Sequence, residues 1–111
     1  MKSMKYTFGE SFGFPPKFHN SISFEIDLTE EEATVIRNFL KENGDCDYGY
    51  LEMTNRALFD KINDAANDAV LDCINEERVR LHKKKYDFDD VDWSSIYYDF
   101  YWPKELLEDA A

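Results

Sequence analysis

Ser21-Ile22-Ser23-Phe24-Glu25-Ile26-Asp27-Leu28-Thr29-Glu30-Glu31-Glu32 is the stretch on which the fold turns. Ile22, Phe24, Ile26 and Leu28 alternate with Ser21, Ser23, Glu25 and Asp27, the pattern of a strand with one buried and one wet face. Thr29 follows at once as a helix N-cap, and Glu32, three residues on, completes a capping box. Glu30 and Glu31 suit the positive end of the helix dipole. Ala33, Val35, Ile36, Phe39 and Leu40 then form an apolar stripe, and Gly44 is placed to stop the helix. A strand passing directly into an amphipathic helix predicts an α+β fold.

Working outward, Tyr6, Phe8, Phe12 and Phe14 share one parity, but Gly9 and Gly13 interrupt them. An irregular or bulged strand is expected, ended by Pro15-Pro16. On the other side, Asp45 to Tyr50 reads as a loop. Thr54 or Asn55 can then cap a long helix running to about Lys85. Leu58, Phe59, Ile62, Ala65, Ala66, Ala69, Val70 and Cys73 fall on one face of it. About 30 helical residues would span ~45 Å, whereas a compact chain of this size has a radius of gyration near ~13 Å. The helix is therefore expected to break near Glu76 to Arg78, or to pack against a second copy. The long helix and the surplus of aromatic residues together make a homodimer the expected assembly. Ile96, Tyr98, Phe100 and Trp102 alternate with Tyr97, Asp99 and Tyr101 as a further strand. Pro103 opens a short helix, Lys104 to Ala110. The predicted fold is α+β: a small antiparallel sheet of two to three strands packed on a long helix and a shorter capped helix. It forms one acidic domain over residues 1–111.

Composition narrows the function. The 111 residues carry 24 acids against 13 bases, a net charge of −11. A phosphate-backbone binder needs clustered Lys and Arg, so direct nucleic-acid binding is disfavoured. Docking on an anionic membrane is disfavoured for the same reason, and no stretch approaches the ~20 apolar residues of a membrane span. Hydrophobic residues at 43% are too many for a disordered chain. Cys46 and Cys73 do not make a disulfide framework, and both are expected to be free thiols in a reducing compartment. Asp45 and Asp47 flank Cys46 and should raise its pKa. The cytoplasm is the expected location.

No catalytic, metal or cofactor site is expected. Gly9-Glu10-Ser11-Phe12-Gly13 matches the string of a nucleophile elbow, but no helix can start at Phe14-Pro15-Pro16 as the elbow requires. Asp87-x-Asp89 opens like a calcium loop, yet the sixth and twelfth positions hold Asp92 and Tyr98 where Gly and Glu are needed. His19 and His82 stand at no zinc spacing with another ligand.

Two features suit a partner. Asp60, Asp64, Asp68, Asp72 and Glu76 place an acid at every fourth position of the long helix, with Lys61 as the nearby cation. As a wet helix face the row needs no function; as a binding face it suits a cationic partner. The segment Tyr86 to Trp102 sets Asp87, Asp89, Asp90 and Asp92 among aromatic rings that include Tyr97, Tyr98 and Trp102, a combination that suits Arg or Lys laid over aromatic faces. The expected function is a non-enzymatic interaction protein that binds a basic partner protein through acidic and aromatic surface, in the physical style of an antidote or inhibitor of a nucleic-acid-binding protein. A second reading is a small-molecule-binding or enzymatic domain with a cleft lined by the C-terminal aromatics. A third is a self-associating structural subunit. A deep pocket converging on a buried carboxylate or on His82 would favour the second; a flat, acidic, tyrosine-rich surface would favour the first.

Like charges four residues apart on a helix repel by a few tenths of a kcal/mol per pair. If the row is only a solvated face, Asp64→Asn/Asp68→Asn should raise the urea midpoint slightly.

Overall fold

The computed structural model describes residues 2–14 and 18–110. Pro15-Pro16, read above as a strand terminator, lies outside the described residues. Strand β1, Ser3–Phe14, pairs antiparallel with β2, Phe18–Thr29. β3, Tyr97–Tyr101, pairs antiparallel with the other edge of β1, giving the order β2-β1-β3. The fold is α+β, with the sheet, the long helix and the shorter capped helix predicted above.

The first strand corrects one expectation. Its register with β2 runs one to one from Ser3 opposite Thr29 to Phe14 opposite Phe18, so neither strand bulges. Gly13 has another purpose. Gly9 and Gly13 pair with Tyr101 and Tyr97 on the outer face, and a Cβ at Gly13 would collide with the Tyr97 ring. At Gly9 a Cβ would lie 3.5 Å from the Tyr101 side chain. That is ordinary contact, so only Gly13 must lack a side chain, and it leaves a seat for the Tyr97 ring across the strand, a recognised way of shielding strand glycines.

Helix α1, Glu30–Asn43, begins with the capping box: Thr29 Oγ1 accepts from the Glu32 N–H at 3.1 Å, and Glu32 Oε1 accepts from the Thr29 N–H at 2.9 Å. Gly44, at φ 74°, ends it, donating its N–H to the Leu40 carbonyl at 2.8 Å. A 3-10 turn, Tyr48–Met53, begins inside the segment read as a loop and runs past it, burying Tyr48 and Leu51.

Helix α2, Arg56–Arg80, starts at Asn55, whose side chain accepts from the Leu58 N–H. It does not break near Glu76, and it stops at Arg80 rather than Lys85. The reason lies beyond the helix. The Asn75 side chain holds both backbone groups of Tyr86, at 2.7 and 2.9 Å. The Arg78 guanidinium lies 3.7 Å over the centre of the Tyr86 ring, and its Nε donates to the Lys84 carbonyl. These contacts turn the chain back, with His82 at φ 58° as the turning residue.

The length problem is solved within one chain. Twenty-five helical residues span about 37 Å, and twelve strand residues about 40 Å. α2 packs on the hairpin through β2, and the molecule measures 44 × 27 × 22 Å. Leu58, Ile62, Ala66, Val70, Cys73 and Ile74 are buried against the chain's own sheet and loops. The argument for a second copy, a helix face longer than the domain, therefore loses its premise. Helix α3, Lys104–Ala110, packs on α1, with Leu106 fully buried. No helix among the described residues is long and apolar enough to cross a membrane.

Removing the cap should be felt directly. Thr29→Ala should lower stability by about 1 kcal/mol, read as a reduced urea midpoint with an unchanged slope.

Candidate binding site

The inward row of β1 reads Tyr6, Phe8, Glu10, Phe12, all buried. Glu10 divides the core. Tyr6 and Phe8 belong to one hydrophobic cluster with Ile26, Leu28, Ile36, Leu58, Ile62 and Trp102. Phe12 belongs to a second, with Val70, Cys73, Ile74 and Val91. Between them lies a cavity of about 200 Å³ lined by Glu10, Tyr48, Asn63, Asn67, Val70, Trp93, Ile96 and Tyr98.

Each wall has a local cause. β1 alternation turns Glu10 inward. Asn63 and Asn67 are four apart on α2, so they share a face. Asp47 caps the 3-10 turn by accepting the Gly49 N–H at 2.7 Å, and so seats Tyr48. The Tyr48 hydroxyl donates to Asn63 Oδ1 at 2.8 Å, and its ring packs on Phe100 with centroids 4.6 Å apart. Trp93 is held by its indole N–H, which donates to the Phe88 carbonyl.

Glu10 is only 4% exposed, and its Oε2 has no hydrogen-bond partner. Burial, with the charge of Asp47 adding to it, pushes its pKa from 4.5 up to about 7. Burial also pushes the Tyr48 phenol up. The Tyr98 phenol is raised too, by burial and then by Asp47. The walls offer one carboxyl, two phenols and two carboxamides, with no Lys or Arg among the described lining residues.

Tyr98 is shared with a second feature. An open depression of about 390 Å³ is lined by Asp45, Cys46, Asp47, Tyr98, Asp99, Phe100 and Tyr101. The Trp102 indole N–H donates to the Cys46 carbonyl at 2.6 Å and fastens this loop to the end of the sheet. Tyr97, Tyr98 and Tyr101 are 59%, 41% and 52% exposed.

The sequence-predicted residues divide. Tyr97 and Tyr98 are surface residues beside this region. Trp102 is not: at 4% exposure, between Phe8, Phe39 and Phe100, it is a core residue rather than an anchor for a partner. Asp60, Asp64, Asp68, Asp72 and Glu76 are all exposed along α2. Asp60 pairs with Arg56 at 3.2 Å. Lys61, expected to offset the row, instead reaches Glu32 on α1 at 3.0 Å. Asp87, Asp89, Asp90 and Asp92 are exposed, but two of them shape tight turns. Asp90 accepts the Asp87 N–H, and Asp92 accepts the Ser94 hydroxyl. Neither group joins the Glu10 cavity.

Ser11 lies mid-strand, hydrogen-bonded to Ser21 and Tyr101, so the elbow string has no elbow. His19 lies beside the Tyr97 hydroxyl. Cys46 packs against the first cluster and Cys73 lies in the second. Burial raises both thiol pKa values, and Asp45 and Asp47 add to the shift at Cys46. Among the described residues no three His, Cys, Asp or Glu side chains gather to hold a metal.

Sequence reasoning missed Glu10, Asp47, Tyr48, Asn63 and Asn67. One signal was present: Glu10 is the single charged residue at the parity of Tyr6, Phe8, Phe12 and Phe14. The chain matches no family model, and comparison with curated proteins and with solved structures finds no similar chain.

The raised Glu10 pKa sets a pH dependence. Below pH 4.5 the group is neutral in both states. Between 4.5 and about 7 the unfolded chain has released the proton that the native state still holds, so stability falls as pH rises; above that range the fall stops. The loss is on the order of 3 kcal/mol. Glu10→Gln should abolish it, so the variant should gain stability relative to the native chain between acidic and mildly basic pH. Urea midpoints across that range measure the difference.

Proposed function

We propose that this protein is a non-enzymatic binding domain that engages a basic protein partner through the acidic, tyrosine-rich surface at the β3 end of the sheet. The observation that carries the reading is the depression itself. Asp45, Asp47 and Asp99 surround it together with Tyr98 and Tyr101, and no Lys or Arg is among the described residues that line it. Exposed tyrosines give contact area at low entropic cost and attract cations over their faces. Clustered carboxylates steer a basic surface toward them. The exposed row on α2 extends the negative field without being part of the depression. Two thiols placed in separate core clusters fit a reducing compartment such as the cytoplasm. The reading calls on no second copy of the chain.

The small-molecule reading retains one specific observation, the buried carboxylate in the Glu10 cavity. At about 200 Å³ the cavity lies below the usual range for drug-sized or cofactor ligands, roughly 300–1,000 Å³. It fits better as a socket within a larger binding surface.

The test is kinetic. With a partner captured from a lysate of the native host, Asp45→Asn/Asp99→Asn should slow association several-fold and flatten its salt dependence, because peripheral charges act chiefly on the on-rate. Tyr101→Ala should raise the off-rate. If both variants bind as the native protein does at low and high salt, the surface is not the interface.

A further inference from the structure

We propose that the Glu10 cavity is a socket for a single guanidinium group, the end of an arginine side chain of the basic partner. The inference deepens the reading above, since it names the group that the partner inserts. Four observations carry it. Glu10 lines the cavity, and its buried Oε2 lacks a hydrogen-bond partner. A buried carboxylate in that condition is costly unless a cation meets it. Among the described residues, the carboxylate that acts on Glu10 is Asp47, which adds negative potential rather than relieving it. No described lining residue is cationic, so a countercharge for the ionised carboxylate would come from outside.

The second observation is size. The volume of about 200 Å³ corresponds to roughly six or seven waters at ~30 Å³ each. That suits a guanidinium head on a short alkyl stem and excludes a nucleotide. The third is wall chemistry. Tyr48, Trp93 and Tyr98 present ring surfaces, while Tyr48 and the Asn63 and Asn67 carboxamides offer polar atoms around the carboxyl. A planar, weakly hydrated cation with several donors meets both needs. A compact ammonium would be stripped of strongly held water and would stack poorly. The fourth is position. Tyr98 is shared by the cavity and the acidic depression, so a side chain reaching past it would come from a partner seated on that surface.

Binding should also depend on pH. The ionisable groups facing Glu10 are Asp47 and Tyr48 in and before the 3-10 turn and Tyr98 on β3. α2 contributes the neutral Asn63, Asn67 and Val70, and the segment before β3 contributes Trp93 and Ile96. Glu10 is the group among these that titrates near neutrality, and a cation meets it best once it has lost its proton. Affinity should therefore rise from mildly acidic to mildly basic pH.

The experiment uses the free chain and ethylguanidinium, with ethylammonium and the neutral isostere ethylurea as controls. Binding is followed by NMR on the Trp93 indole N–H and the Asn63 and Asn67 side-chain amides, at constant ionic strength. Saturable shifts of these signals by ethylguanidinium are expected, with ethylammonium weaker and ethylurea weaker still. Glu10→Gln, a neutral isostere that should fold, is expected to weaken ethylguanidinium by about tenfold or more, as loss of a charge-assisted hydrogen bond implies. Equal binding of ethylurea, equal binding by Glu10→Gln, or shifts spread over the surface with none at the cavity would overturn the socket. Because no partner is used, that failure is separable from failure of the surface, which Asp45→Asn/Asp99→Asn tests. An arginine peptide that binds no better than free ethylguanidinium would place the ligand as a small free guanidine and overturn the partner's role.

Discussion

A strand of twelve residues runs about 40 Å, and its inward face has to be covered along that whole length. This constraint organises the molecule. β1 and β2 form an unbroken hairpin of that length, and only a helix of some seven turns can cover it. α2 supplies those turns, and its buried row from Leu58 to Ile74 reaches from one core cluster to the other. α1 and α3 close the end at which the hairpin opens, where Ile36, Phe39, Leu40 and Leu106 meet Trp102. The chain becomes elongated rather than round, with a radius of gyration of 15.1 Å.

A long, narrow core need not be continuous, and this one is interrupted at Glu10. The polar residues at the interruption come from separate elements: Glu10 from β1, Asn63 and Asn67 from α2, Tyr48 from the 3-10 turn and Tyr98 from β3. An apolar residue at position 10 would have joined the two clusters. Instead the fold carries a carboxyl whose ionised form is disfavoured by burial and by Asp47. Sites that sacrifice stability in this manner are where function is normally found. The surface next to it is built to match. Gly13 lets the Tyr97 ring lie down on the outer face of the sheet, and the loop that carries Asp45 and Asp47 is fastened by the Trp102 indole.

The acids serve different ends according to their surroundings. Asp47, Asp90 and Asp92 spend part of their hydrogen-bonding capacity on turns. Asp60 is paired within its own helix. Asp45 and Asp99 remain beside exposed tyrosines in one depression. Net charge alone could not have separated these roles, because each depends on the few atoms nearest the carboxylate.

Where structure rests on neighbours in the chain, the amino-acid sequence determined it. The alternation of Ser21 to Leu28, the Thr29–Glu32 capping box, Gly44, the Asn55 cap, the alternation of Tyr97 to Tyr101 and the helix after Pro103 all act within a few residues, and each element stands where these signals place it. Elsewhere only the tertiary structure decided, because the interacting groups are far apart in the chain. The end of α2 depends on Asn75 gripping Tyr86. The glycine at position 13 of β1 answers to a ring contributed some eighty residues later, Tyr97. Trp102 reads as an interface residue by type, but its burial depends on Phe8 and Phe39. Glu10 was legible as the odd residue in an apolar row. That it faces a cavity rather than a bulge or a salt bridge follows from Asn63, Asn67, Tyr48 and Tyr98, which only folding brings to its side.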